Sequence, residues 1–164
     1  LLVRDGGVDG VVIRLGRGFM NVTREGETRL RSGAAVLDVA LAKAALDAGL
    51  AGLEFMRGIP GGVGGGLKMN AGAYGCEFKD VLVEAVALTR GGDRVVFSNA
   101  QMGFEYRKSN VPADLIFIEG LFEGTPGNKA EIERKLRQEI TGFVPRARIR
   151  LRRTSSAPAR RSMR

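Results

Sequence analysis

Apolar positions along this chain fall in short runs, interrupted by one longer stretch with helical spacing. Leu1-Leu2-Val3 reads as the end of an apolar strand closed by a turn at Asp5-Gly6-Gly7, and the β-branched run Val11-Val12-Ile13 predicts a second short strand. Residues 20–22 and 28–30 pair as a hairpin around Glu25-Gly26. Across residues 33–50 the period changes: Leu37, Leu41, Ala44, Ala45 and Ala48 share one face of a helix, and Gly49 suits the position just past its end. Core packing accounts for that stripe. Strands follow at 81–88 and 94–97, joined by a turn at Gly91-Gly92-Asp93, and again at 115–121. Thr125-Pro126-Gly127 breaks the chain, and residues 129–139 form a polar, amphipathic helix. Short strands mixed with a few helices, without an internal repeat, place the chain in the α+β class.

Composition adds two constraints. With 164 residues, 44% of them hydrophobic, the chain suffices for one compact domain or one domain and part of another. Its 24 glycines are about twice the usual share and follow no collagen-like period, so they serve turns, tight packing or close backbone approach to a ligand.

Charge is unevenly placed. The net charge is +8, yet Arg146, Arg148, Arg150, Arg152, Arg153, Arg160, Arg161 and Arg164 hold the whole excess, and without them bases and acids balance at 18 each. A nucleic-acid surface is normally spread over a folded face. From residue 142 onward Arg, Ser, Ala and Pro dominate. A solvated basic tail is the default reading; a nucleic-acid contact and sequence foreign to the fold are the alternatives.

Cys76 is the single cysteine, which excludes an intrachain disulfide and points to a reducing compartment; it reads as a packing residue. With no histidine, the usual metal sites and Ser-His or Cys-His catalysis fall away. No apolar run approaches the length of a membrane span. The chain opens in mid-pattern without a Met, so its true start is expected upstream.

The glycine-rich centre, Gly58-Ile59-Pro60-Gly61-Gly62-Val63-Gly64-Gly65-Gly66-Leu67-Lys68-Met69-Asn70-Ala71-Gly72-Ala73-Tyr74-Gly75, is the main candidate site. Successive backbone amides in such a loop can converge on a phosphate. It is not a P-loop, because Leu67 separates Gly66 from Lys68, and Met69 follows where Ser or Thr is needed. Nor does G-x-G-x-x-G fit: from Gly62 the third glycine falls on Leu67, and from Gly61 the second falls on Val63. Spacing alone leaves turns and tight packing as an alternative to a ligand site.

Together with its flanks the pattern is more specific. Gly52-Leu53-Glu54-Phe55, Gly58-Ile59-Pro60-Gly61, Val63-Gly64-Gly65 and Met69-Asn70-Ala71-Gly72-Ala73-Tyr74-Gly75 resemble the signature of the UDP-N-acetylenolpyruvoylglucosamine reductase family. Phe104-Glu105-Tyr106-Arg107-Lys108-Ser109 resembles its Tyr-Arg-x-Ser turn, and residues 1–7 are similar to the stretch after its Gly-Ser-Asn flavin loop. The resemblance covers residues 1–141. It implies a FAD-binding fold of the vanillyl-alcohol-oxidase/PCMH type, with a FAD-binding domain at 1–122, a linker helix at 123–141 and an Arg-rich tail at 142–164.

The implied activity is reduction of UDP-N-acetylenolpyruvoylglucosamine to UDP-N-acetylmuramate in bacterial peptidoglycan synthesis, in the cytoplasm. NADPH is the co-substrate and FAD the bound cofactor; neither nucleic acid nor membrane is an implied partner. Gly58, Ile59, Pro60, Gly61, Gly62, Val63, Gly64 and Gly65 are implied to line the FAD, and Asn70, Ala71, Gly72 and Ala73 to continue that wall. Tyr74 and Tyr106 are implied to face the substrate. Arg107 is implied to hold its carboxylate, where a planar guanidinium can engage both oxygens. Ser109 is read as fixing the turn.

Three departures from the family pattern stand out. The N-terminal lobe with its pyrophosphate loop is expected before Leu1. The C-terminal domain with its proton-donor serine and glutamate is expected after residue 139, and its signature is absent. This implies an inactive fragment whose frame is lost after Ile140-Thr141. Gly62 and Gly66 replace the usual Thr or Ser and Ala, which predicts a more flexible loop. Another flavin oxidoreductase of the same fold and a basic nucleic-acid-binding module remain as alternatives.

Overall fold

Strand β8 (Ile116–Glu123) ties together two hairpins that are far apart in sequence. The first is β1 (Val22–Glu25) with β2 (Arg29–Gly33); the second is β6 (Leu82–Leu88) with β7 (Arg94–Ser98). The resulting antiparallel sheet has the order β1-β2-β8-β6-β7. Phe122 of β8 stands opposite Leu30 on one side and Leu82 on the other. This computed structural model describes residues 6–7 and 10–142. The expected strand at Leu1-Leu2-Val3, the basic tail with its nucleic-acid alternative, and the proposed loss of frame lie outside or at the edge of the described residues.

Helix α1 (Asp38–Ala48) follows β2, and a two-stranded ladder pairs β3 (Leu50–Ala51) with β9 (Thr125–Pro126). Helix α2 (Val63–Met69) leads into a small hairpin of β4 (Gly72–Ala73) and β5 (Cys76–Glu77). The short α3 (Asn99–Met102) is capped by Ser98, whose Oγ accepts the Gln101 amide. Helix α4 (Lys129–Gly142) closes the described chain.

The core gathers Leu41 and Ala45 from α1, Leu67 from α2, Ala85 and Ala87 from β6, and Phe122 from β8. Phe78 is its hub, meeting Phe122 edge-on at 5.5 Å and Phe55 at 6.4 Å between ring centroids. The helix read as a linker docks on this core, burying Ile132 and Leu136. Arg31 of β2 collects Glu25 of β1, Glu84 of β6 at 3.0 Å and Glu119 of β8 at 3.9 Å, a charge network spanning four strands.

The two hairpins, the strand at 116–123 and the helix from residue 129 follow the sequence reading, and four other readings need correction here. Val11-Val12-Ile13 forms no strand; these residues are 89%, 74% and 63% exposed and have no ladder partner among the described residues. The first long helix starts at Asp38 rather than Gly33, because residues 29–33 are claimed by β2. Leu37, expected on its buried face, is exposed at the N-cap, whereas Leu41 and Ala45 are buried as read. Gly49 does adopt the left-handed C-cap conformation, with φ 72°. Cys76, expected to pack, is exposed, because β5 belongs to the small peripheral hairpin. Among the described residues no helix is long and apolar enough to cross a membrane, and no cluster of His, Cys, Asp or Glu could hold a metal ion.

Candidate functional site

The glycine-rich centre is a helix with a lead-in, not one continuous loop. Three successive glycines are poor helix formers, yet residues 63–69 are helical because tertiary contacts decide. The Val63 amide donates to Val36 O at 2.9 Å and the Gly64 amide to Ala34 O at 2.9 Å, pinning the start of α2 to the segment after β2. Buried Leu67 and Gly66 face the core.

Each glycine of this helix and its lead-in has a neighbour that explains it, with one exception. A Cβ on Gly66 would stand 2.2 Å from Phe78 Cζ. At Gly66 the missing Cβ therefore leaves room for an aromatic ring in the core. A Cβ on Gly58 would stand 2.4 Å from Tyr74 Cε2, so the tyrosine ring lies against that backbone. Gly64 meets Ala34 and Gly62 meets the Val36 carbonyl. Gly65 alone in this helix has an open face, with nothing within 4 Å of the point a Cβ would occupy.

That open face borders a cleft of about 680 Å³, lined by Ala34, Ala35, Gly64, Gly65, Lys68 and the chain around Ile13–Leu15. The amides of Gly61, Val63 and Gly64 are spent on protein carbonyls. Convergent amide donation to a phosphate, which the sequence predicts, is thus not available from these three. What the segment offers a cofactor is close approach to a backbone without side chains.

A second cleft, of about 490 Å³, is lined by Tyr74, Cys76, Glu77, Lys79, Asp80 and Arg107, with the β4 backbone of Gly72 and Ala73. Two segments meet there. One is the β4–β5 hairpin with Tyr74 at its turn. The other is the turn at residues 105–108, closed by bonds between the Glu105 and Lys108 backbones. Arg107 is exposed and lies 5.7 Å from the centroid of the Tyr106 ring, and it makes a long bond to Gly72 O at 3.5 Å. Ser109 fixes the turn as read: its backbone amide and its hydroxyl both donate to Lys68 O, at 3.2 and 2.9 Å.

Asn70 caps α2 and is fully buried between these segments. Its Nδ2 donates to Glu77 Oε2 at 3.0 Å and to Glu105 O at 3.1 Å, and its Oδ1 accepts the Lys79 amide at 3.0 Å. The Lys79 ammonium, 2.7 Å from Glu77, holds the Glu77 carboxyl below the usual range; the Asn70 amide and the more distant Arg107 add to this.

Backbone strain concentrates at this place. Among the described residues the non-glycine positions with positive φ are Asn70 (44°), Tyr74 (54°) and Arg107 (55°). Such residues cost about 1–3 kcal/mol each where the side chain is bulky, and they collect at functional sites. All three come from the two motifs singled out in the sequence.

Of the expected residues, Gly64 and Gly65 reach the first cleft, and Gly72, Ala73, Tyr74 and Arg107 the second. Tyr106 stands beside the second at 81% exposure. Ala71 and Val63 are buried, and Ile59, Pro60, Gly61 and Gly62 form the lead-in to α2. Glu77 and Lys79 were not legible as site residues, since a charged pair after a glycine turn carries no distinguishing pattern. Asp38 was also missed. It is fully buried at the start of α1, and neither carboxylate oxygen has a hydrogen-bond partner among the described residues; burial pushes its pKa up to about 7. A Cβ on Gly61 would stand 3.3 Å from its Oδ2.

Residues 1–98 match the family described as FAD binding domain. Over 141 residues the chain is 64% identical to a UDP-N-acetylenolpyruvoylglucosamine reductase of Parvibaculum lavamentivorans, covering 86% of this chain and 45% of that protein. Over 142 residues it is 60% identical to the protein of that name from Phenylobacterium zucineum, covering 85% and 47%. Among solved structures, UDP-N-acetylenolpyruvylglucosamine reductase from Thermus caldophilus superposes with a TM-score of 0.73 at 34% identity, over 83% of this chain and 49% of that one. The chain thus spans about half the length of the curated relatives it matches.

Proposed function

Because the chain belongs to the FAD binding domain family, we propose that it is the flavin-holding and substrate-facing portion of a UDP-N-acetylenolpyruvoylglucosamine reductase. The observation that carries this reading is that Tyr74 and Arg107 line the second cleft while Asn70 is buried between the segments that bear them, these three being the non-glycine residues with positive φ among those described. Strain of this kind persists only where the surrounding structure over-determines it.

The residues present suit a flavin. Gly65 presents a bare backbone face to a cleft of about 680 Å³, and a side chain there would intrude on that space. Gly58 to Gly65 and Ala71 to Ala73 are the proposed cofactor wall, the latter through their backbone; Asn70, fully buried, supports that wall from beneath and does not face the flavin. When bound, FAD supplies a hydride carrier between NADPH and the double bond of the enolpyruvyl ether.

The chain's own residues do the rest. Arg107 offers a planar guanidinium to the substrate carboxylate, whose oxygens gain negative charge as the adjacent double bond is reduced. Tyr106 flanks that guanidinium, and Tyr74, its ring against Gly58, lines the second cleft. Lys79 neutralises Glu77, so a carboxylate in the same cleft does not repel an anionic substrate. The proton donor to the substrate carbon is not assigned to any residue of this chain. We place the reaction in cell-wall synthesis in the bacterial cytoplasm.

The test is flavin content. The purified 164-residue chain is expected to take up FAD, seen in its visible absorption spectrum, and the bound flavin to respond to the enolpyruvyl nucleotide. A folded chain that gains no flavin from excess FAD would contradict the reading.

A further inference from the structure

We propose that Asn70 is a positioning residue. Its amide clamps the hairpin carrying Tyr74 to the turn carrying Tyr106 and Arg107, and it acts on substrate without touching the cofactor. The clamp deepens the reading above and rests on it for the identity of the substrate, but not for its own geometry.

Every polar atom of this side chain is already satisfied within the protein. An asparagine offers two N–H donors and one carbonyl acceptor. Here one donor reaches Glu77 on β5, the other reaches the Glu105 carbonyl 35 residues away, and the oxygen takes the Lys79 amide. With the side chain fully buried, nothing is left to face a cofactor. The bond to Glu77 is charge-assisted, because Lys79 keeps that carboxyl ionised.

Backbone and side chain together dictate the residue. At φ 44° asparagine, aspartate and glycine are the tolerated types. Aspartate would set a carboxylate against Glu77 and the Glu105 carbonyl, and glycine would lose every bond. A second tie runs in parallel, since Ser109 bonds Lys68 O at the end of α2, two residues before Asn70. The turn bearing Arg107 is therefore registered on the C-terminal end of the glycine-rich helix.

Amide hydrogen exchange on the ligand-free 164-residue chain tests the clamp directly. Asn70→Asp is expected to speed exchange at least tenfold in both 72–79 and 103–110, with the amides of β6 unchanged. Glu77→Ala cuts one arm and is expected to act on 72–79 alone, which keeps a test available if Asn70→Asp does not fold. In the FAD-loaded chain, Asn70→Asp is expected to weaken the enolpyruvyl nucleotide at least tenfold while FAD affinity stays within twofold. Unchanged exchange in 103–110, or loss of FAD affinity as large as the loss of substrate affinity, overturns the proposal. A wild-type chain that takes up no FAD but shows the exchange pattern sinks the functional reading and leaves the clamp standing.

Discussion

Phe78 rests on Gly66 so closely that a Cβ there would stand 2.2 Å from its Cζ and 2.6 Å from its Cε1. The pair joins α2 to the aromatic core, since the same ring meets Phe55 and Phe122 edge-on. Gly66→Ala is therefore expected to lower stability by about 1–3 kcal/mol through overpacking, although alanine is the better helix former. Phe78→Leu leaves a cavity when alone and relieves the clash when combined. Denaturant unfolding of both single variants and the double should show the double more stable than the sum of the singles predicts; strict additivity would mean the contact does not govern this position.

Asp38 makes stability fall as the solution becomes more alkaline. Its folded pKa is raised to about 7 from 3.8 by burial, so between those values the native chain holds a proton that the unfolded chain has released. Stability attributable to this group is intact below about pH 4 and declines as pH climbs toward 7. Asp38→Asn removes the titration. Its stability relative to wild type should improve between about pH 4 and pH 8 by roughly 2–4 kcal/mol, and parallel pH profiles would refute the assignment.

Gly65 separates fold from ligand. With nothing near its missing side chain, Gly65→Ala should hold or raise stability in thermal unfolding, by up to about 0.5–1 kcal/mol from helix propensity. Gly65→Asp keeps the fold but puts a carboxylate into the first cleft, and FAD affinity should drop at least tenfold, as measured by flavin titration. Undiminished affinity would place the flavin elsewhere.

Arg107 sits in a conformation that glycine adopts without strain. Arg107→Gly should unfold at a denaturant concentration equal to or above wild type, where an exposed Arg→Gly change normally costs about 0.5–1 kcal/mol. Binding of the enolpyruvyl nucleotide to the FAD-loaded chain should weaken at least tenfold, and neighbouring Lys108→Met should leave it unaltered. Equal losses from both changes would assign the effect to general positive charge.

The sequence carried the two motifs because glycine, asparagine and the Tyr-Arg pair have distinctive backbone and chemical requirements at fixed spacing. It carried the strands β6, β7 and β8 because their apolar runs are bounded by clear turn residues, but not their order in the sheet. It misled where tertiary contact overrides local preference. Residues 63–69 look like a loop until Leu67 and the Phe78 ring supply a core to pack against. Val11-Val12-Ile13 looks like a strand but finds no partner among the described residues. Asp38 reads as an ordinary acid in a first helical turn, because its burial depends on Gly61, far along the chain. The three bonds of Asn70 reach Glu77, Lys79 and Glu105, and no local pattern announces the last of these.

The place of β8 between β2 and β6 has a consequence for synthesis. As the chain leaves a ribosome, β1–β2 and β6–β7 can each close as local hairpins, but residues 116–123 must clear the exit tunnel before either gains its inner neighbour. Until then two inner strand edges, lined by Leu30 and Leu82, stand open to nascent chains from neighbouring ribosomes. Closure is a late, non-local event, so this fold is expected to lean on chaperones during translation more than a helical protein of equal length.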